Sequence, residues 1–247
     1  MKLTLLQTIS EPRPIGELSE EELRELQTAL SILGYPVGDI DGLIGPKTRG
    51  AWGEFEADFL EGDPNFIGPD AIETLQKQVE VAGVGKDYDF STKDGTMAAI
   101  KQECKVQGIG LKTQIAYVLA TVEWETARTF KPVREAFWLS EDWRRDNLRY
   151  YPYYGRGYVQ LTWKNNYQKY SNILSVDLVN NADMAMEPNI ALFILVHGFK
   201  TGTFTGRKIL DYIDSHKTDF LNARRCINGL NKAHEIKRLA EKYLQTV

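Results

Sequence analysis

The chain has 247 residues, of which 43% are hydrophobic and 26% charged, a composition typical of a globular protein and not of a disordered or collagen-like one. Its longest apolar run, Ile190–Val196, is far shorter than the about 20 residues that a membrane-spanning helix needs. Cys104 and Cys226 lie far apart and no histidine has zinc-type spacing, which predicts two free thiols and neither a disulfide scaffold nor a metal site.

The charge is divided unevenly along the chain. Residues 1–85 carry 16 acidic and 6 basic side chains, a net charge of −10, whereas residues 86–247 carry a net charge of +6. A basic segment can attract an anionic polymer, such as nucleic acid or a cell envelope. A solvated surface of ordinary composition explains the same excess equally well.

Three helices are predicted in the first third of the chain. Ser19 and Glu22 have the spacing of a capping box, which predicts a helix start, and Gly34 ends the leucine periodicity that follows. Pro46 opens a second helix. The tripeptide Ile-Gly-Pro that ends at Pro46 recurs with its proline at Pro69, where it precedes a third predicted helix. From Gly83 to Gly95 the chain reads as a linker, and we place a domain boundary near Asp87.

A pattern of leucines, glycines and aromatic residues in this region resembles the small three-helix peptidoglycan-binding domain that accompanies cell-wall hydrolases. The residues that carry the resemblance are Leu23, Leu26, Gln27, Leu30, Leu33, Gly34, Tyr35, Gly38, Ile40, Asp41, Gly42, Gly45, Pro46, Thr48, Ala51 and Phe55. Glu56 departs from it, since a glutamine usually follows the last phenylalanine. The resemblance implies that residues 1–86 are a wall-binding domain with a short linker, or a degenerate one that only spaces or stabilises the rest.

A second group of helices follows, and one of them carries two candidate catalytic carboxylates. The pattern over Lys112–Ala127 predicts a helix that is apolar nearly all round. Glu123 and Glu125 flank its most apolar face on opposite sides. Periodicity alone does not choose between them. A carboxyl group at the end of a buried helix suits a general acid, while an ion pair with Arg128 or Lys131 is the structural alternative.

A second carboxylate and an aromatic segment lie downstream. Glu135 follows Glu125 across a loop-like stretch, and paired carboxylates are the minimum for glycoside hydrolysis. Residues 150–167 are rich in tyrosine and contain one tryptophan, which suits a sugar polymer or a single-stranded nucleic acid. Arg156, between two glycines, also reads as a buried hydrogen-bonding strut. The last helix has one apolar face, which predicts docking onto the core in preference to contact with an anionic membrane.

The sequences of three segments closely resemble motifs of glycoside hydrolase family 19, the chitinases and their phage-endolysin relatives. The residues concerned are Tyr154, Gly155, Arg156, Gly157, Gln160, Leu161, Thr162, Asn166 and Tyr167; Trp124, Glu125 and Thr126; and Arg225, Ile227, Asn228, Gly229, Leu230, Lys232 and Ala233. The resemblance implies a mainly α, lysozyme-like catalytic domain over residues 87–247. Trp124 departs from it by replacing the usual histidine.

The same resemblance assigns roles. It selects Glu125 as the general acid, Glu135 as the base of an inverting mechanism and Thr162 as a residue that helps to hold the attacking water. The short spacing leaves Glu141 or Asp142 as alternatives to Glu135. The residues that it places against the sugar are Tyr154, Gln160, Asn166, Arg225 and Asn228.

These features together predict an endolysin that hydrolyses the glycan strands of peptidoglycan and causes lysis of a bacterial host. The N-terminus has no proper signal-peptide core, so we expect accumulation in the host cytoplasm and action on the wall after release through a holin-type pore. We expect a monomer that needs no cofactor or metal, binds no nucleic acid and is not stably inserted in a membrane. The alternatives are a chitinase and a non-catalytic wall-binding protein.

Overall fold

The computed structural model describes residues 1–82 and 88–247. The chain divides into two compact units, Met1–Gly83 with Asn172–Ser175, and Val84–Ser171 with Val176–Val247. The boundary predicted near Asp87 lies outside the described residues.

The N-terminal unit is built on three helices and one short strand pair. The helices are α1, Glu20–Ile32; α2, Pro46–Phe59; and α3, Pro69–Ala82. Strands β1, Arg13–Pro14, and β2, Phe66–Ile67, pair antiparallel with Arg13 opposite Ile67. Trp52 and Phe55 are fully buried in its core, with their rings stacked at 5.4 Å. The three predicted helices are therefore present.

Local sequence signals set the ends of these helices. The Ser19 hydroxyl accepts from the Glu22 backbone N–H, and the Glu22 carboxylate accepts from the Ser19 N–H, so the predicted capping box is confirmed. Gly34, just past α1, has φ = 85°, a left-handed conformation that glycine adopts without strain. Pro46 is the first residue of α2, where its missing N–H costs nothing.

The C-terminal unit is also mainly helical, which confirms the predicted fold class. The helices within residues 88–247 are α4, Lys93–Val106; α5, Lys112–Glu125; α6, Glu141–Asn147; α7, Lys164–Leu174; α8, Pro188–Thr201; and α9, Ala233–Leu244. Strands β3, Val133–Arg134, and β4, Arg156–Gly157, form one antiparallel pair, with Val133 opposite Gly157.

Helix α5 occupies the centre of this unit, and all residues from Gln114 to Val122 are buried. Helix α9 packs along it with Ile236, Ala240 and Tyr243 buried, so the predicted docking of the last helix onto the core is confirmed. Val122 shares one apolar cluster with Tyr158, directly after β4. The end of α5 and the β3–β4 pair are thus anchored in the same core.

Two sequence expectations need correction. Helix α5 ends at Glu125 and not at Ala127, because Ala127 and Arg128 have φ values of 48° and 69°, outside the helical region. The predicted linker also ends early. Tyr88 packs against the core and donates to the Glu103 carboxylate at 2.9 Å, and Gly95 lies inside α4.

Two further observations concern the whole described chain. Cys104 and Cys226 are both free, as predicted, and both are buried. Within residues 1–82 and 88–247, none of the helices has the length and apolar character needed to cross a bilayer.

Candidate active site

Glu125, the last residue of α5, forms an ion pair with Arg224. Arg224 Nη1 lies 2.7 Å from Glu125 Oε1, and the two side chains are only 5% and 15% exposed. Arg224 is held in turn by a hydrogen bond from its Nε to the Asn231 carbonyl at 3.1 Å. The carboxylate that the family resemblance selects is therefore nearly buried, and an arginine fixes its orientation.

Glu123 has different partners. Its Oε2 accepts a hydrogen bond from the Tyr243 hydroxyl on α9, and its Oε1 lies 3.9 Å from Arg128 Nε. This carboxylate ties two core helices together. The structure thus separates the two candidates that periodicity left equal: Glu123 serves the α5–α9 contact, and Glu125 has a buried cation beside it.

Glu135 follows strand β3 and is held from two sides. Its Oε1 accepts from the Tyr150 hydroxyl at 2.6 Å, and its Oε2 accepts from the Gly155 backbone N–H at 3.0 Å. Backbone contacts fix its main chain too, since its N–H donates to the Gly155 carbonyl at 2.7 Å and its carbonyl accepts from Arg144 Nε at 2.8 Å. Burial, followed by the hydrogen bond and charge of Glu135, raises the pKa of Tyr150 to about 12.

The two alternative carboxylates occupy different environments. Glu141, half-exposed at the start of α6, accepts from the Tyr154 hydroxyl at 3.0 Å and pairs with Arg144 at 3.1 Å. Asp142 is 77% exposed and pairs with Arg145 at 2.8 Å. Arg144 thus joins the Glu141 carboxylate to the main-chain carbonyl of Glu135, whereas Asp142 faces solvent.

Arg156 is the predicted buried strut. It is 4% exposed, pairs with Asp183 at 2.9 Å and donates to the Pro152 carbonyl and the Tyr167 hydroxyl at 2.9 and 3.1 Å. Its guanidinium lies 3.7 Å from the centre of the Tyr154 ring. Asp183, supplied by a distant segment, completes this arrangement and was not anticipated.

The tyrosine-rich segment is more buried than a sugar-stacking surface requires. Tyr154, Tyr158 and Tyr167 are 1% exposed or less, and burial, the main cause, raises the pKa of Tyr154. The ring of Tyr154 is therefore not available for stacking, contrary to the expectation for a sugar-binding residue, because it packs under Arg156. Large aromatic rings do reach solvent nearby. They are Phe137, Trp138, Trp143 and Trp163.

The predicted polar residues of this segment brace its backbone. Gln160 Nε2 donates to the Val133 carbonyl at 3.2 Å, and its side chain lies so close to Gly155 that a Cβ there would stand 2.6 Å from Gln160 Oε1. The Thr162 hydroxyl donates to the Gln160 carbonyl at 2.7 Å, and Asn166 Nδ2 donates to the Thr162 carbonyl at 2.8 Å. These three side chains support the turn that positions the Gly155 N–H against the Glu135 carboxylate.

Arg225 and Asn228 lie on the surface. Arg225 Nε donates to Asn222 Oδ1 at 3.2 Å, and Asn228 Oδ1 accepts from the Gly229 N–H at 2.8 Å. The arginine that reaches Glu125 is the preceding residue, Arg224. Neither Arg224 nor Tyr150 was predicted as a functional residue, and the only signal in the sequence is that each lies shortly before a segment that carries the family resemblance.

Comparisons with known proteins relate part of the C-terminal unit to a known family. Residues 91–202 match the family described as chitinase class I. This part of the chain is therefore similar to the glycoside hydrolase family 19, chitinase-like domain. Chitinases 11 and 8 of Oryza sativa subsp. japonica are 50% and 48% identical to it over 42 residues, which cover 17% of this chain and 16% of each rice protein.

Two solved structures are similar over a longer stretch. Chitinase C from Streptomyces griseus HUT6037 has a TM-score of 0.40 and 16% identity over 68% of this chain and 75% of that one. A mutant of chitinase C has a TM-score of 0.42 and 19% identity over 68% and 74%. The matched family-19 region contains Glu125, Glu135 and Glu141, whereas Arg224 lies beyond it.

Proposed function

We propose that the protein hydrolyses β-1,4 bonds between aminosugars, with Glu125 as general acid and Glu135 as general base. One observation carries the proposal: the carboxylate at the end of α5, the central helix of the C-terminal unit, is paired with a buried arginine, Arg224. An exposed surface glutamate has no need of such a partner. A carboxylate that must meet one particular oxygen of its substrate gains from a fixed orientation.

The chemistry follows from these two carboxyl groups. For this step Glu125 carries a proton, which it gives to the glycosidic oxygen as the bond from that oxygen to the anomeric carbon breaks, and Arg224 then stabilises the carboxylate that is left. Glu135 takes a proton from a water molecule, whose oxygen bonds to the anomeric carbon from the opposite face. The configuration is inverted and no covalent enzyme intermediate forms. Tyr150 and the Gly155 N–H hold Glu135, while Thr162 lies beside the same turn.

The proposed substrate is the glycan strand of bacterial peptidoglycan. The wall-binding resemblance of the N-terminal unit supports this choice, and its three helices are present in the structure. We further propose that the protein is a monomeric phage endolysin that accumulates in the host cytoplasm, reaches the wall through a holin-type pore, and requires no cofactor or nucleic acid. The second candidate is a chitinase, which the names of the similar proteins favour.

Purified sacculi and chitin distinguish the candidates when each is incubated with the full chain and the released fragments are analysed by mass spectrometry. Peptidoglycan hydrolysis predicts muropeptides cut at the glycosidic bond, and soluble products from chitin alone would favour the chitinase. Glu125→Gln should abolish release while binding to sacculi persists. Glu123→Gln is the matched control, because it neutralises a carboxylate on the same helix, and it should retain most of the activity. Sacculi that bind the chain without any fragment release would indicate a non-catalytic wall-binding protein.

A further inference from the structure

Glu56 in α2 occupies a position that corresponds to Gln27 in α1. In α1, the buried Gln27 is held by the loop before α2 and by the first turn of α2. It donates to Asp41 Oδ1 and to Thr48 Oγ1 at 3.0 and 3.1 Å, and accepts from the Gly42 N–H at 2.8 Å. In α2, Glu56 follows Phe55 as Gln27 follows Leu26, and it faces the loop before α3.

Unlike Gln27, Glu56 has no side-chain hydrogen bond or ion pair within residues 1–82 and 88–247, although it is only 4% exposed. Its Oε2 lies against Gly62, where the Cβ of any other residue would collide with it. A buried carboxylate without a partner is costly. Burial, with the charge of Asp63 added, raises the pKa of Glu56.

Glu56 forms part of the wall of a pocket of about 270 Å³. Three further carboxylates line its mouth, Glu61, Asp63 and Asp70, and no lysine or arginine is present among the described residues that line it. Apolar groups complete the walls. They are Pro12, Leu60, Phe66, Pro69 and Ala71. The volume suits a small group and is below the range of pockets that enclose drug-sized ligands.

We propose that this pocket binds a primary ammonium group on an aliphatic stem, such as the side chain of a lysine-like diamino acid, with Glu56 as its acceptor. An ammonium group supplies three hydrogen-bond donors and a positive charge to a site that offers only acceptors and negative charge. The stem lies against Leu60, Phe66 and the prolines. Nowhere in the described chain do three or more His, Cys, Asp or Glu residues come together in a geometry that holds a metal ion, which favours an organic cation.

The proposal is independent of the hydrolytic activity, because it concerns a pocket in the other unit and its test measures no glycan cleavage. The full chain, labelled with ¹⁵N, is titrated with Nα-acetyl-lysine methylamide while the indole N–H signal of Trp52 is followed. That N–H donates to the Phe66 carbonyl at 3.1 Å, at the edge of the pocket. Nα-acetyl-norleucine methylamide, which has the stem without the ammonium group, is the matched ligand control.

Glu56→Gln should raise the Kd for the lysine derivative at least tenfold. Glu54→Gln, an exposed charge on the same helix, should change it less than twofold. Gly62→Ala keeps every charge and fills the space beside Glu56 Oε2, so it should also weaken binding. Equal binding of both ligands, unchanged binding by Glu56→Gln, or a Glu56-dependent response to Ca²⁺ but not to the amine would each overturn the proposal.

Discussion

Arg224 and Glu125, 99 positions apart in the sequence, meet in a 2.7 Å ion pair at the end of α5, the central helix of the C-terminal unit. The pair joins the last turn of α5 to the segment before α9. The carboxylate's geometry therefore depends on tertiary packing and not on its own helix alone. Its position in the proposed mechanism makes this dependence measurable.

Replacing Arg224 by alanine should reduce both stability and catalysis. Loss of one member of a buried pair leaves the other charge uncompensated, which costs about 3–5 kcal/mol in the free energy of unfolding. We expect kcat to fall at least tenfold, and Arg224→Lys to restore part of it. Arg225→Ala is the neighbouring control, and it should leave the unfolding free energy within about 0.5 kcal/mol while affecting KM at most. Denaturant unfolding measures the stability of each variant, and steady-state kinetics measure its activity. An Arg224→Ala variant as stable and as active as the parent would contradict the prediction.

Tyr150→Phe should lower kcat with little effect on KM. The variant loses one hydrogen bond to the Glu135 carboxylate, and a bond of this class is worth about 1.5–3 kcal/mol, or roughly tenfold or more in rate. Because the pKa of Tyr150 is raised to about 12, its hydroxyl remains a donor throughout the assay range, and the effect should be the same from pH 5 to pH 9.

Tyr151→Phe provides the comparison for Tyr150. Tyr151 stacks on Tyr154 at 6.1 Å, and its hydroxyl has no hydrogen bond to any described residue. The Tyr151→Phe variant should therefore keep the kcat of the parent. Equal losses in the two variants would show that the segment responds to any change and that the Tyr150 hydroxyl has no particular role.

The sequence predicts those parts of the molecule whose causes are local. The capping box at Ser19 and Glu22, the proline that opens α2 and the mainly helical class all depend on residues a few positions apart. The choice of Arg224 over Arg225 depends on how a short turn is rotated against α5, and no spacing rule fixes that rotation. Burial of Tyr154 was missed for the same reason, since Asp183 and Arg156 meet only in the folded chain.

Trp138 is expected to contact substrate. It is 72% exposed, lies three positions after Glu135 and meets the Phe137 ring edge-on at 5.1 Å. An exposed indole offers an apolar face to the C–H surface of a sugar ring. Trp138→Ala should therefore raise KM several-fold with kcat nearly unchanged, and Trp138→Phe should restore part of the loss. Leu210→Ala, at an exposed position with no aromatic ring, should leave KM as it was. Unaltered KM in Trp138→Ala would remove this residue from the binding surface.

Glu56→Gln should stabilise the protein at neutral pH even as it weakens amine binding. The pKa of Glu56 is raised in the folded state by burial and by Asp63, so the folded chain retains a proton that the unfolded chain releases. Stability is then lost as pH rises from the unfolded value, about 4.3, through the folded one. The glutamine variant should match the parent at the acid end of this window and exceed it at pH 7 by on the order of 1 kcal/mol. Thermal unfolding from pH 4 to pH 8 measures the difference, with Glu54→Gln as the exposed control. A gap that is independent of pH, or one in favour of the parent at pH 7, would mean that Glu56 is accommodated in its site without cost.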